Sequence, residues 1–328
     1  MADMTPPAGA DEFLERAAWS GARIAPLAGD ASFRRYFRVT RGADRAVLMD
    51  APPPHEDPRP FLSVGEWLGE RGFGAPTIIA SDLARGLVLL EDFGDRRMRE
   101  TVDAEPNRMA ALYEAAVDVL VDLHRHPAGP LEPYDRDVLH REAALLTDWY
   151  CPAVGLDVDA EGYRAAWDAV FEHALTPEPV TVLRDYHAEN LMLVGATKTG
   201  WRLGLLDFQD ALAGHPAYDL VSLLQDARRD VDPSIEEAML ARYRDATGAG
   251  EDFMRAYHVL GAQRNAKIIG IFTRLWKRDG KPRYPALCPR VWGYLKRDLA
   301  QEVLGPVTRW FDENIPPELR GDPMVVGR

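Results

Sequence analysis

Val182-Leu183-Arg184-Asp185-Tyr186-His187-Ala188-Glu189-Asn190-Leu191-Met192-Leu193 reads as the end of an apolar strand, a polar loop and the start of a second apolar strand. The loop opens on an acidic residue, Asp185, and Asn190 follows five positions later. Seventeen residues beyond Asn190, another apolar run ends on Asp207, in Leu205-Leu206-Asp207-Phe208-Gln209-Asp210. Phosphoryl transfer to a hydroxyl needs these groups in this order. One carboxylate orients the hydroxyl and accepts its proton; an amide oxygen and a second carboxylate hold Mg²⁺ against the phosphates. Positioning and charge neutralisation do the rest. Asp185 is therefore the expected base, and Asn190 and Asp207 the expected metal ligands. Each residue alone is a weak signal; their order and spacing are specific.

Before this stretch the chain is strand-rich. Phe37–Val39 and Ala46–Met49 read as neighbouring strands joined by the turn Arg41-Gly42-Ala43-Asp44. The proline-rich Ala51–Pro60 is a loop. Phe61–Arg71 has helical spacing, and Thr77–Ala80 and Gly86–Leu90 read as further strands. From about Leu90–Asp95 onward helices dominate. The expected ones cover Met109–His124, Tyr163–Ala174, Tyr218–Ala227, Ser234–Ala246, Asp252 to about Trp276, and Val291–Val303, with short strands at Val180–Leu183, Leu191–Val194 and Arg202–Phe208.

Composition excludes several classes. The 328 residues carry a formal charge of −13, against a broad basic face for nucleic acid or an anionic membrane. Two cysteines, Cys151 and Cys288, cannot build a disulfide scaffold or a zinc-thiolate cluster. Met1–Gly9 lacks the basic and apolar regions of a signal peptide, and no apolar run could span a bilayer. The expectation is a soluble cytoplasmic protein acting on a small molecule, with no obligate protein partner evident.

With the loop motif in hand, the chain resembles the aminoglycoside phosphotransferase/choline kinase family over nearly its whole length. Asp185 matches the catalytic-loop aspartate, His187 a histidine common two residues later, and Asn190 and Asp207 the magnesium ligands. Gly214-His215-Pro216-Ala217-Tyr218-Asp219-Leu220 resembles the segment after the metal aspartate, where Asp219 would brace the catalytic loop. Leu183 departs from the family, which usually has histidine there. The resemblance implies ATP and Mg²⁺ as cofactors. It also implies an α+β, two-lobe protein-kinase-like fold: a small strand-rich nucleotide-binding lobe, 1–91, and a larger, mostly helical catalytic and substrate-binding lobe, 92–328.

Two features follow from that placement. Asp92-Phe93-Gly94 looks like a metal-binding motif but precedes the catalytic loop by about 90 residues, so Leu90, Glu91 and Asp92 are expected at the hinge that meets adenine. The small-residue turn Gly29-Asp30-Ala31-Ser32-Phe33, followed by Arg34 and Arg35, fits the loop that covers the phosphates. The two arginines read either as phosphate contacts or as part of a solvated hairpin.

Kinases usually carry a lysine on the next strand, paired with an acid on the following helix. Met49 stands there instead, leaving Glu66 and Glu70 without that partner. Either Arg34 or Arg35 supplies the charge, or the protein binds nucleotide without turnover.

Finally, Gly29–Phe37, Val47–Pro53 and Gln263–Phe272 are similar to bacterial anomeric sugar kinases acting on N-acetylmuramate and N-acetylglucosamine in cell-wall recycling. That resemblance implies an amino-sugar acceptor phosphorylated at its C1 hydroxyl. Arg264 and Lys267, three apart on one helix face, are either a solvated basic stripe or contacts to an acidic substrate. His187 and Glu189 are further candidates near substrate. A kinase of an aminoglycoside or choline is the nearest rival.

Overall fold

The computed structural model describes residues 5–27, 34–196 and 201–327. By packing, the chain divides into two compact units: 1–115 with 188–211, and 116–187 with 212–328. The sequence reading places one boundary at 91. The observed division instead runs through the helix Met109–Leu123 and takes the segment 188–211 out of the helical part.

The first unit is built on a five-stranded antiparallel sheet of β1 (Arg23–Pro26), β2 (Arg35–Arg41), β3 (Asp44–Asp50), β4 (Ile78–Asp82) and β5 (Leu87–Glu91), in spatial order β1-β2-β3-β5-β4. Alternate residues of the strands fill its core, with Phe37, Val39, Ala46, Leu48, Leu87 and Leu89 packed with Phe13 and Leu14 of the helix Ala10–Arg16. That helix and β1 are too short for a periodic signal and were not legible in the sequence. The helix Arg59–Glu70 starts with proline in its first turn and buries Phe61, Val64, Gly65 and Leu68 at helical spacing. Phe61 stacks on Phe208 at 4.8 Å, which ties this helix to the residue after Asp207. A hairpin of Leu191–Ala196 and Trp201–Leu205 completes the unit.

The second unit is mostly helical. Its axis is the helix Glu251–Lys277, with Gln263, Asn265, Ala266 and Ile269 among its buried residues. A β-carbon added at Gly270 would sit 2.2 Å from the Leu145 carbonyl oxygen, so only glycine permits this approach. Gly270→Ala is expected to cost about 3 kcal/mol through overpacking, read as a lower midpoint in urea unfolding. A two-stranded ladder pairs Val180–Val182 with Leu212–Gly214.

The helices read in the sequence are present, and two of them break. The stretch Val291–Val303 is an α-helix over Cys288–Leu299 and then a 3₁₀ turn over Glu302–Leu304. The stripe Tyr163–Ala174 is an α-helix over Ala160–Asp168 and then a 3₁₀ turn over Phe171–Ala174, because Val170 leaves helical geometry at φ −124°. Trp167 and Phe171 still stack, at 5.3 Å, so the apolar face survives the break. The helices Met98–Ala104, Arg136–Ala143 and Gly305–Asn314 were not read in the sequence. Among the described residues no helix is long and apolar enough to cross a membrane.

Candidate active site

The loop motif is held by different means on its two sides. In the second unit, the strand Val180–Val182 delivers Leu183 and Arg184. Asp219, in the first turn of the helix Ala217–Leu224, is fully buried beneath them. Its carboxylate accepts from the Leu183 amide at 2.7 Å and the Arg184 amide at 2.8 Å. Ser222, one turn on, donates to the Arg184 carbonyl at 3.0 Å, and Arg264 donates to the Ser222 hydroxyl at 2.8 Å. The peptide groups on either side of Arg184 are therefore fixed immediately before Asp185. This anchoring holds Arg184 at φ 69°, a left-handed conformation that is costly for a residue with a side chain.

Burial pushes the Asp219 carboxyl up to about 7, against the pull of the two amides and Arg264. Asp219→Ala would leave the Leu183 and Arg184 amides without their acceptor and remove the carboxylate whose charge faces Arg264. The expected cost is about 3 kcal/mol of stability. The expected kinetic effect is a fall in kcat of about 100-fold from loop misplacement, larger than any change in the KM for ATP.

Tyr186 is buried and donates to the Ala116 carbonyl at 2.8 Å. His187 is also buried; its amide donates to the Asp185 carbonyl, and Arg228 approaches its Nε2 at 3.1 Å. Burial drives the imidazole down to about 3, so it is neutral at physiological pH. In this structure His187 is an internal brace of the loop.

In the first unit, Asn190 ends a 3₁₀ turn over Ala188–Asn190 and leads into the hairpin. The register pairs Leu191 with Leu205, and the Leu206 amide donates to the Asn190 carbonyl at 3.0 Å. The strand expected to reach Phe208 stops at Leu205, because Asp207 turns to φ 59°, a conformation aspartate tolerates. This hairpin converts a separation of seventeen residues into contact: Asn190 Nδ2 lies 3.4 Å from Asp207 Oδ2. Gln209, where a glycine is usual, donates to Asp207 Oδ1 at 2.8 Å.

An adjacent amide and carboxylate are hard oxygen donors that suit Mg²⁺, which keeps water and phosphate oxygens as its other ligands. Among the described residues no cluster of three or more His, Cys, Asp or Glu could hold a metal by itself. The donor set thus fits a cation completed by nucleotide phosphates.

The remaining sequence candidates separate. Gly29, Ala31, Ser32 and Phe33 lie outside the described residues. Arg35 is committed to Asp50, its cross-strand neighbour, at 2.6 Å. Arg34 pairs with Glu56 at 3.1 Å. Burial alone would lower the Arg34 pKa, but Tyr36, Glu56, Asp207 and Asp210 outweigh it and raise it. Arg34 therefore feels the metal-side carboxylate. Met49 is fully buried on β3, and Glu66 and Glu70 face outward on their helix.

At the expected hinge, the Glu91 amide donates to the Thr77 carbonyl at 2.9 Å, Leu90 is paired within the sheet, and Asp92 is bound to Arg38 and to the Gly94 amide. Glu189 is ion-paired with Arg99. Trp201 lies beneath Arg96 and Arg108.

The solvated-stripe reading of Arg264 and Lys267 is corrected: Arg264 is 4% exposed, and the Lys267 ammonium binds Glu142 at 2.8 Å. Ser222 and Glu142 were not singled out in the sequence. Only Ser222 carried a readable signal, standing three residues after Asp219 on the same helix face.

With this geometry established, the chain can be compared with known proteins. It is 36% identical to an N-acetylmuramate/N-acetylglucosamine kinase of Caulobacter vibrioides, over 94% of this chain and 96% of that one. It is 41% identical to a protein of the same name from Pseudomonas aeruginosa, over 85% of each chain. A choline/ethanolamine kinase family protein from Mesorhizobium loti superposes with a TM-score of 0.61 at 16% identity, covering 91% of this chain and 97% of that one. This last likeness establishes the protein-kinase-like α+β fold. Residues 23–257 match the phosphotransferase enzyme family profile, and the chain belongs to that family.

Proposed function

We propose that this chain is an ATP- and Mg²⁺-dependent kinase of amino sugars, transferring the γ-phosphoryl group to the C1 hydroxyl of N-acetylmuramate and N-acetylglucosamine. Similarity to two kinases of that name across most of the chain carries the reading. The retained Asp185, Asn190 and Asp207 support it.

In this reading Asp185 orients the sugar hydroxyl and accepts its proton. An anomeric hydroxyl is more acidic than an ordinary alcohol, so a carboxylate suffices as base. Asn190 and Asp207 hold Mg²⁺, which when bound neutralises charge on the transferring phosphates. Gln209 orients the Asp207 carboxylate, and Asp219 and Ser222 hold the loop. Gly29, Ala31, Ser32 and Phe33 remain the sequence's candidates for phosphate contact. Adenine recognition falls to the main chain at Asp92, since the Glu91 amide is engaged by Thr77 and Leu90 is paired within the sheet. The cytoplasm, where ATP is supplied, is the expected location.

Arg34 takes the place of the missing strand lysine. Arg34→Ala is expected to raise the KM for ATP about tenfold, the worth of one charge-assisted bond, with the sugar KM unchanged. Arg35→Ala should instead lower stability by releasing Asp50.

A buried methionine at position 49 favours one alternative, nucleotide binding without turnover. ADP release from Mg-ATP with N-acetylmuramate, N-acetylglucosamine, choline or kanamycin separates the two. Release with the first two supports the sugar kinase. Bound ATP with no release on any acceptor supports the alternative, and release on choline or kanamycin alone moves the acceptor class.

A further inference from the structure

The expected hinge and the pair Asn190–Asp207 belong to the same packed unit, and the hairpin between that pair is tied to the hinge in three places. The first lies at Gly204, in the hairpin strand Trp201–Leu205, three residues before Asp207. A β-carbon added there would stand 2.6 Å from two ring atoms of Phe93 and 2.8 Å from the Val194 side chain. Ordinary contacts between carbons are about 3.5–4.0 Å. The ring of Phe93, the residue after Asp92, therefore rests on the Gly204 backbone, and any side chain at 204 would displace it.

The second tie is main chain to main chain. The Leu193 amide donates to the Arg96 carbonyl at 2.8 Å, and Arg97 forms a bridge with Met192. The third runs through residues 74–77. A β-carbon at Gly74 would stand 2.2 Å from the Leu203 carbonyl oxygen, and the Leu205 amide donates to the Gly74 carbonyl at 2.8 Å. Three residues on, the Thr77 carbonyl accepts from the Glu91 amide at 2.9 Å. The Thr77 amide and hydroxyl donate to the Glu91 carboxylate at 3.1 and 2.8 Å. Arg38 of β2 also holds the segment to the sheet, through ion pairs with Asp92 at 2.7 Å and Asp95 at 2.9 Å.

These ties fix the separation between the hinge and the metal-side pair. That separation matters for a nucleotide, which is two ligands joined by a linker: adenine at one end, the metal-bound triphosphate at the other. Joining two binding groups raises affinity by about 10²- to 10⁴-fold, and only while both fit at once. A misplacement of about 1 Å can cost about 100-fold.

We propose that Phe93 seated on Gly204 is a spacing device for the nucleotide. Phe93 is a positioning residue that acts through Asp92, setting the adenine end against the metal end of the site. This rests on the nucleotide reading above. Its signature is selective: a disturbed contact weakens a ligand that spans both ends and spares a ligand that uses one.

The test measures dissociation constants separately for Mg-ATP, for adenosine, which engages the hinge alone, and for Mg-tripolyphosphate, which engages the metal end alone. Gly204→Ala should weaken Mg-ATP by about 10- to 100-fold while the other two ligands stay within about threefold of wild type. Adding Phe93→Leu to Gly204→Ala makes room for the new methyl group and should recover most of the Mg-ATP affinity, as coupled neighbours do. Phe93→Ala, which adds no atoms, should show the same selective loss at smaller size, and it decides the matter alone if Gly204→Ala does not fold. Equal weakening of all three ligands makes the contact purely structural and overturns the proposal. So does unchanged Mg-ATP affinity in either single variant. Adenosine and Mg-tripolyphosphate that bind wild-type protein without competing with Mg-ATP overturn the nucleotide placement itself, and the spacing device with it.

Discussion

Asp185→Asn lowers kcat by about 10³- to 10⁴-fold while Mg-ATP still binds. The size is that of removing a positioned general base. The substitution keeps the shape of the side chain and removes its ability to take a proton. The loop survives it, because its anchors are backbone groups: the Leu183 and Arg184 amides on Asp219, and the Arg184 carbonyl on Ser222. Nucleotide affinity, measured by titration calorimetry with Mg-ATP, should stay within a few-fold of wild type. A parallel loss of nucleotide binding would assign Asp185 to loop structure instead of proton transfer.

Asp207→Ala lowers kcat/KM by about 10³-fold or more and abolishes tight binding of Mg-ATP. A metal ion that neutralises developing phosphoryl charge contributes several kcal/mol, and each 1.36 kcal/mol is tenfold in rate. Asp207 is also the group on which Asn190 and Gln209 converge, at 3.4 and 2.8 Å. Its removal therefore disorganises the amide ligand as well as deleting the carboxylate. The measurement is activity against Mg²⁺ concentration. Saturating Mg²⁺ should fail to restore the wild-type rate, whereas full recovery at high Mg²⁺ would place the metal elsewhere. Asp185→Asn and Asp207→Ala thus fail differently, one after nucleotide binding and one before it.

Much of the fold and site is local, and local features are legible. The strands β2 and β3 alternate about a glycine turn, and the helices from Met109 onward carry long apolar stripes. The meeting of Asn190 with Asp207 is readable because one hairpin joins them, and a hairpin needs only a turn and two apolar runs to declare itself. Asp219 is readable through its motif.

What fails to show is pairing between charges far apart in the chain. Arg35 with Asp50, Glu189 with Arg99, and Lys267 with Glu142 are tertiary events with no periodic signature. Arg264 misleads for a related reason. The helix Glu251–Lys277 is buried on more than one face, so a basic residue on it resembles a surface stripe while its guanidinium serves a serine in the core. Much of the Gln263–Phe272 segment is explained the same way. Gln263 donates to the Leu139 carbonyl at 3.0 Å and Asn265 to Gln225 at 2.7 Å, both buried, which leaves Lys267 as the partly exposed charge of the group. The packing division is also invisible to a linear reading, because the hairpin that carries Asn190 leaves the helical segment in which its sequence neighbours stand.

The position of the phosphate in the product tests the account most directly. Protein, Mg-ATP and N-acetylmuramate or N-acetylglucosamine are incubated, and the product is examined by phosphorus NMR with coupling to the sugar protons. The account predicts a sugar 1-phosphate, its phosphorus coupled to the anomeric proton, formed by wild type and not detectably by Asp185→Asn. A phosphate at any other carbon, or ATP bound with no sugar phosphate formed, would contradict it.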